Sequence, residues 1–263
     1  MTSVGKGQHA ELPVDAPACG ACRNGRPLDF AFSYAFQPII DTGARKVFAH
    51  EALIRGAHGE GAGQILNKVT PDNRYQFDQA CRVKAIEMAA RLGIAGKVSI
   101  NFLPNAIYRP DICIMTTLQA ARQHGFPVDR IIFEAVEGER IDDGKWLATV
   151  FREYRRIGFM TAIDDFGAGY AGLNLLADFQ PDIVKLDMGL IRDIHTRTTS
   201  QAIVRSVVGL CGELGILLVA EGVESLGEYH CLRDLGIELI QGYLLCKPLF
   251  EDSINNAETI VPC

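Results

Sequence analysis

Apolar residues along this chain follow two rhythms. Short apolar runs that suit buried strands fall at residues 36–40, 47–54, 98–102, 130–136, 159–163, 183–187, 216–221 and 238–243. Between most of them, apolar positions recur every three or four residues, predicting helices over 74–92, 112–124, 143–157, 170–177, 200–214 and 225–235. In the first of these, Phe77, Ala80, Cys81, Ala85, Met88 and Leu92 share one helical face. Gly93, Gly125, Gly158, Gly215 and Gly236 each stand just past a helical stretch, where a left-handed residue closes the last turn.

Strands interleaved with helices in this way predict a TIM-like (β/α)8 barrel. One connection breaks the pattern. Only Asp41-Thr-Gly-Ala-Arg-Lys46 joins the first two strands, and a parallel crossover needs about a dozen residues or more. These two strands are therefore expected to pair as a hairpin, giving a barrel with one antiparallel strand. A doubly wound open sheet is the alternative, but it wants a glycine-rich loop after the first strand, and none is present. The expected organisation is an N-terminal tail over 1–29, flexible from its aperiodic Gly, Pro, Ala and Lys/Arg composition. One domain then spans 30–250, with a C-terminal tail over 251–263.

Of the 263 residues, 48% are hydrophobic, enough to bury a large core and to exclude disorder for most of the chain. Lys and Arg number 26 against 32 Asp and Glu, a net charge of −6. That balance excludes a broad basic surface for long nucleic acid. A small anionic ligand needs local help from cationic side chains or metal ions. Nothing near Met1 reads as a signal peptide, and the apolar run 214–220 is too short to span a bilayer. The expectation is a cytoplasmic protein with no membrane contact. The eight cysteines are mostly scattered in apolar settings, as free thiols in a reducing compartment would be. Cys19 and Cys22 form a lone CxxC without a second pair, read as incidental, with redox or metal use as the alternative.

In barrels of this kind the chemistry collects where strands end at the C-terminal face. Those positions are acidic and polar here: Glu51, Asn101, Glu134, Asp164 with Asp165, Lys185 with Asp187, Glu221 and Gln241. Any one carboxylate could be a helix cap or a surface charge. Lys185, flanked by strand apolars, must meet a polar partner or suffer burial. Every strand from the second to the eighth carries such a residue, which argues against coincidence. Carboxylates converging on one mouth cannot all stay ionised uncompensated. Oxygen donors of this type suit Mg²⁺ or Mn²⁺, and two cations sharing a carboxylate is an arrangement that hydrolyses phosphate esters.

These residues carry a resemblance. Glu51-Ala-Leu-Ile-Arg55 is similar to the signature of the EAL domain family, bacterial cyclic di-GMP phosphodiesterases. Further blocks follow in the family's order: Phe36-Gln-Pro-Ile39, Ile100-Asn-Phe102, Ile163-Asp-Asp-Phe-Gly-Ala-Gly-Tyr170, Val184-Lys-Leu-Asp187, Ala220-Glu-Gly-Val-Glu224 and Ile240-Gln-Gly-Tyr243. The tripeptide alone is worth little; the ordered set, from about Phe30 to Phe250, is specific. Asn73-Arg-Tyr-Gln-Phe-Asp-Gln-Ala-Cys-Arg82 and Phe133-Glu-Ala-Val-Glu-Gly-Glu-Arg140 look most like the EAL domains of BLUF photoreceptors. Too few residues precede the first strand for a BLUF domain to be expected here.

The resemblance implies hydrolysis of cyclic di-GMP to linear 5′-pGpG with two Mg²⁺ or Mn²⁺ ions, and inhibition by Ca²⁺. Glu51, Asn101, Glu134, Asp164, Asp165 and Glu221 match its metal ligands, with Asp165 between or beside both ions. Lys185 matches the lysine that orients or deprotonates the attacking water, and Asp187 would assist the second metal. Gln37, Leu53, Arg55, Asp187, Gln241 and Pro248 match substrate contacts, with Arg55 on a phosphate. Glu137 and Glu224 match loop-stabilising residues. Val136 stands where the family usually has Thr, which bears on how Glu137 steadies the loop 165–172 and so on turnover. The alternative function is a catalytically weak EAL domain acting as a cyclic di-GMP receptor or protein-interaction regulator. A homodimer is expected, its interface near 170–177 and 191–214, where Leu173, Leu175, Leu176 and Phe179 exceed the needs of one core-facing side. Regulation is expected from a separate sensor or regulator protein, from the tail, or from metal and substrate supply.

Overall fold

The short 41–46 connection is the seam of the fold. In a computed structural model that describes residues 28–107, 109–136, 144–169 and 172–257, β1 (Phe32–Asp41) and β2 (Lys46–Gly56) form an antiparallel hairpin. Six strands then follow β2 in parallel and in chain order: β3 (Lys97–Asn101), β4 (Ile131–Val136), β5 (Met160–Phe166), β6 (Ile183–Leu186), β7 (Leu217–Ala220) and β8 (Leu239–Ile240). β1 also pairs antiparallel with β8 at Ile40 and Asp41, which closes an eight-stranded mixed barrel with one reversed strand. A further strand, β9 (Leu249–Phe250), adds to β1 at Ala35 and Phe36.

Helices fill the crossovers: α1 (Ala62–Leu66), α2 (Arg74–Arg91), α3 (Pro110–Cys113), α4 (Met115–His124), α5 (Gly144–Ile157), α6 (Gly172–Asp178), α7 (Met188–Ile191), α8 (Thr198–Leu214) and α9 (Leu226–Asp234). Gly93, Gly125, Gly158, Gly215 and Gly236 all have positive φ beyond helix ends, as expected. The single helix expected over 112–124 is two, α3 opening on Pro110 at its first turn. The strand expected over 238–243 is only Leu239–Ile240. Past it, the Gln241 carbonyl accepts from Val223 N–H, and a Cβ on Gly242 would lie 2.0 Å from the Val223 carbonyl oxygen. The loops after β7 and β8 touch there, and only glycine fits. The buried face of α2 also differs from expectation, since it includes Asp78 and Arg82 while Ala80 and Leu92 are half-buried.

Strand alternation sorts side chains between two environments. Outward residues such as Phe36, Ile100, Phe133, Ile163, Val184 and Ile240 pack under the helices. Inward, Ile39, Ala49, Ile132, Ala162, Ile183, Val219 and Leu239 form a separate apolar plug low in the barrel. Beyond Phe250, Glu251 N–H donates to the Tyr34 carbonyl (3.0 Å), and Asn255 Oδ1 accepts from Ala95 N–H (3.1 Å), so the chain lies back along the barrel. Of the residues expected at an interface, Leu175, Leu176 and Phe179 are buried against the barrel, and Leu173 is 66% exposed. Among the described residues no helix is long and apolar enough to cross a membrane. Cys19, Cys22 and Glu137 lie outside the described residues.

Candidate active site

One pleat above the apolar plug, the inward positions become polar. Two residues on from Ala49, Ile132, Ala162, Ile183, Val219 and Leu239 stand Glu51, Glu134, Asp164, Lys185, Glu221 and Gln241. β1 runs the other way, so its contribution lies two residues back from Ile39, at Gln37, directly opposite Glu51. β3 contributes Ser99 and Asn101 from the same face. Asn101 Nδ2 donates to Glu51 Oε1 (3.2 Å), and Ser99 Oγ donates to Glu134. The period-two alternation therefore gathers the expected residues into one ring. Ser99, between Val98 and Ile100, belongs to it, and the same alternation marks that position in the sequence.

Lys185 sits at the centre, fully buried. Its Nζ lies 2.6 Å from Glu221, 3.0 Å from Glu134, 3.2 Å from Asp164 and 3.4 Å from Glu51. Burial alone would lower the lysine's pKa, but Asp164, Glu134, Glu221 and Glu51 outweigh it and hold it well above the ordinary value. The ammonium cannot neutralise four carboxylates. Burial pushes Glu134 up to about 8 against the pull of Lys185. Burial likewise raises Glu221 well above the usual carboxylate range. Burial would raise Asp164 too, but Lys185 and a hydrogen bond with Glu221 hold it below its ordinary value.

β5 delivers two consecutive carboxylates through an irregularity. Its register with β6 shifts between Ile163 and Phe166, and Asp165 takes a left-handed φ of 54°. An Asp tolerates that conformation better than most residues. The break lets neighbours that would point to opposite faces both serve the mouth. Burial, then Asp164 and Asp187, raise the pKa of Asp165. Ligand oxygens of Glu51, Glu134 and Asp164 lie within 4.8 Å of one another, as do those of Asp164, Asp165 and Glu221. Asp164 is common to both groups, and Asp165, expected between or beside both ions, belongs to the second. Two clusters of hard oxygen donors joined by one carboxylate, with a single buried cation among them, fit divalent ions such as Mg²⁺ and Mn²⁺.

The remaining expected residues surround this ring. Gln241 donates to Glu51 Oε2 (2.8 Å) and Gln37 Oε1 (3.2 Å), and Gln37 Nε2 donates to the Cys246 carbonyl (3.0 Å). Leu53 and Arg55 continue the Glu51 face of β2 and are half-buried, Arg55 donating to the Ile54 carbonyl. Pro248 is half-buried just before β9. Asp187 caps α7, accepting from Gly189 N–H (2.9 Å). Glu224 is exposed and pairs with Arg192 (2.7 Å). Glu228 was missed in the sequence reading. Its buried carboxylate accepts from the N–H groups of Asp193, Glu224 and Ser225, tying the loop after Glu221 to the segment after α7. The Ser225–Glu228 spacing of a capping box is its sequence signal. A cleft of about 320 Å³ opens over the ring, its rim formed by Met188, Glu224 and Tyr243.

The EAL domain family matches residues 27–248 of this chain. A standalone EAL protein from Vibrio cholerae O395, solved with c-di-GMP bound, is 51% identical over 88% of this chain and 97% of its own, with a TM-score of 0.85. Klebsiella pneumoniae BlrP1, solved as a manganese/cy-diGMP complex, is 37% identical over 86% of this chain and 58% of its own, with a TM-score of 0.80. The cyclic di-GMP phosphodiesterase RocR of Pseudomonas aeruginosa is 32% identical over 92% of this chain and 62% of its own length. This chain spans about half, or less, of the length of the curated relatives it matches first.

Proposed function

The chain belongs to the EAL domain family, and from that premise we propose that it is a cyclic di-GMP phosphodiesterase that opens the cyclic dinucleotide to linear 5′-pGpG. One observation carries the reading: Asp164 is shared between two carboxylate clusters at the barrel mouth. Glu51, Asn101, Glu134 and Asp164 would hold one divalent ion, and Asp164, Asp165 and Glu221 a second, with Asp187 near the second. Mg²⁺ or Mn²⁺ bound there supplies Lewis acidity toward the phosphate oxygens and lowers the pKa of bound water. Relatives solved with c-di-GMP, one of them with manganese, support the choice of substrate and cation.

The chain's own residues do the rest. In the reaction a water oxygen bonds to phosphorus, the P–O3′ bond breaks, and the 3′-oxygen leaves with a proton. Lys185, which the carboxylates around it hold as an ammonium in the metal-free site, would orient the attacking water or, once cations take up that negative charge, accept its proton. Arg55, at the end of the Glu51 face of β2, is placed to pair with a substrate phosphate. Gln37 and Gln241 line the cleft over the ring, and with Leu53 and Pro248 they would complete the binding surface. We include a homodimer in the proposal, supported by Leu173 on α6 and Ile203 on α8, 66% and 44% exposed. Light scattering across a dilution series tests it.

The purified chain is assayed with cyclic di-GMP in Mg²⁺, in Mn²⁺ and in EDTA, with products separated by chromatography. The expected result is pGpG in both metals and none in EDTA. Tight nucleotide binding without turnover in either metal would overturn the enzyme reading in favour of a receptor.

A further inference from the structure

Behind the two strands that carry Asn101 and Glu134 lies an ion pair that no solvent reaches. Arg82 and Asp78, one turn apart on α2, meet at 2.7 Å with both side chains at most 1% exposed. A buried ion pair is weak support for stability, since its desolvation cost can exceed its attraction and apolar replacements often do as well. Its partners give it a different use. Asp78 Oδ1 accepts from Leu103 N–H (2.9 Å), two residues past Asn101. Arg82 donates to the Tyr154 hydroxyl (2.8 Å), and its guanidinium lies over the rings of Phe102 (5.4 Å) and Phe133 (5.1 Å). Phe102 follows Asn101 and Phe133 precedes Glu134, so strand alternation turns each ring outward where its neighbour turns inward. Tyr154 packs on Phe133, with ring centroids 4.8 Å apart, and closes the cage from α5.

We propose that the Asp78–Arg82 pair, with Tyr154, is a positioning device that fixes the backs of β3 and β4 so that Asn101 and Glu134 meet their cation in one geometry. The inference rests on the metal-ligand reading given above. The fork of Arg82 is directional where an apolar side chain is not, and Asp78 anchors the backbone where β3 ends. Outer partners that orient metal ligands typically contribute about tenfold or more in metal affinity.

Mn²⁺ binding to the metal-free full chain, followed by the electron paramagnetic resonance of free Mn²⁺, tests this without turnover. The variants are Tyr154→Phe, which removes one hydroxyl, and Asp78→Asn, which keeps the acceptor for Leu103. Each is made alone and combined with Asn101→Ala, and melting is recorded for all. The expected result is a loss of about tenfold in Mn²⁺ affinity in each single variant, with a smaller further loss in the doubles, where only the contribution through Glu134 remains. Unchanged Mn²⁺ affinity in Tyr154→Phe, beside a clear loss in Asn101→Ala, overturns the positioning role whatever happens to melting temperature. So do losses that add fully in the doubles. Should Asn101→Ala itself leave Mn²⁺ binding unchanged, the metal-ligand reading falls and the positioning role with it. If Asp78→Asn does not fold, Tyr154→Phe alone decides.

Discussion

Gln241 reaches past the reversed strand to hold Glu51. Its Nε2 lies 2.8 Å from Glu51 Oε2, although β8 and β2 are not neighbours and β1 runs between them. The same amide group donates to Gln37 on β1, so one side chain ties the seam of the barrel at the level of the carboxylates. Replacing Gln241 with Leu should free Glu51 to tilt toward Lys185. We expect kcat/KM to fall about ten- to a hundredfold, with Mn²⁺ affinity falling alongside it. A rise in KM with Mn²⁺ affinity untouched would assign Gln241 to the substrate alone.

Asp164 and Asp165 are adjacent in sequence but unequal in the clusters. Asp164 belongs to both, Asp165 to one. Asp164→Asn should weaken binding of both cations and reduce hydrolysis about a thousandfold or more, since metal ions supply several kcal/mol of transition-state stabilisation. Asp165→Asn should leave the Glu51–Glu134–Asp164 cluster able to bind one Mn²⁺ while the second is lost. Stoichiometry by calorimetry separates these outcomes. One Mn²⁺ retained in Asp164→Asn, with binding of both weakened in Asp165→Asn, would make Asp165 the shared ligand.

Lys185 has two separable duties. One is its part in the proposed reaction, and the other is structural, as the cation that four carboxylates face. Lys185→Met should lower turnover on the order of 10²- to 10⁴-fold with nucleotide binding retained, the signature of a group that matters in the transition state. It should also destabilise the metal-free fold by about 3–5 kcal/mol, the usual cost of breaking a buried pair from one side. Mn²⁺ would then raise the melting temperature more in the variant than in the wild type, because a ligand that binds only the folded chain offsets the missing charge. Equal shifts in the two proteins would show that the carboxylates do not depend on Lys185 for compensation.

Most of the ring was legible because a strand has period two. An acid or a lysine inside an apolar strand, two residues from an Ala, Ile, Val or Leu, must share that residue's face, and the barrel supplies the convergence. The reversed strand was legible from loop length alone. Which of Asp164 and Asp165 joins the two clusters was not. It depends on a register shift between β5 and β6 and on a left-handed Asp165, both set by strand pairing rather than by the local pattern. Arg82 and Asp78 escaped for another reason: charges on a helix read as solvent-facing until the rings of Phe102, just past β3, Phe133 on β4 and Tyr154 on α5 close over the Arg82 guanidinium. The end of β8 likewise follows from Gly242 meeting Val223, a contact between loops that sequence periodicity does not encode.

His50 gives the fold a sensitivity to acid outside the carboxylate ring. It points outward from β2, next to Glu51, and is fully buried. Its Nε2 lies 2.8 Å from the Ile254 carbonyl, and Nδ1 has no partner. An Nε2–H donated to Ile254 leaves Nδ1 bare, so protonation would place a charge where nothing receives it. Burial accordingly lowers the pKa from 6.5 to about 4, the hydrogen bond to Ile254 opposing it only in part. In the unfolded chain the ring titrates near 6.5. Below that pH the unfolded chain binds a proton that the folded chain refuses, so the stability present above pH 6.5 falls with pH and is lost on passing through about 4. The full span corresponds to roughly 3 kcal/mol. Urea unfolding in EDTA should therefore show the wild type losing more stability between pH 7.5 and pH 4.5 than His50→Gln, which cannot titrate. The comparison cancels the carboxylates common to both proteins. A difference between the two that stays constant with pH would mean that His50 takes up its proton without leaving its site, and that the Ile254 contact does not depend on a neutral ring.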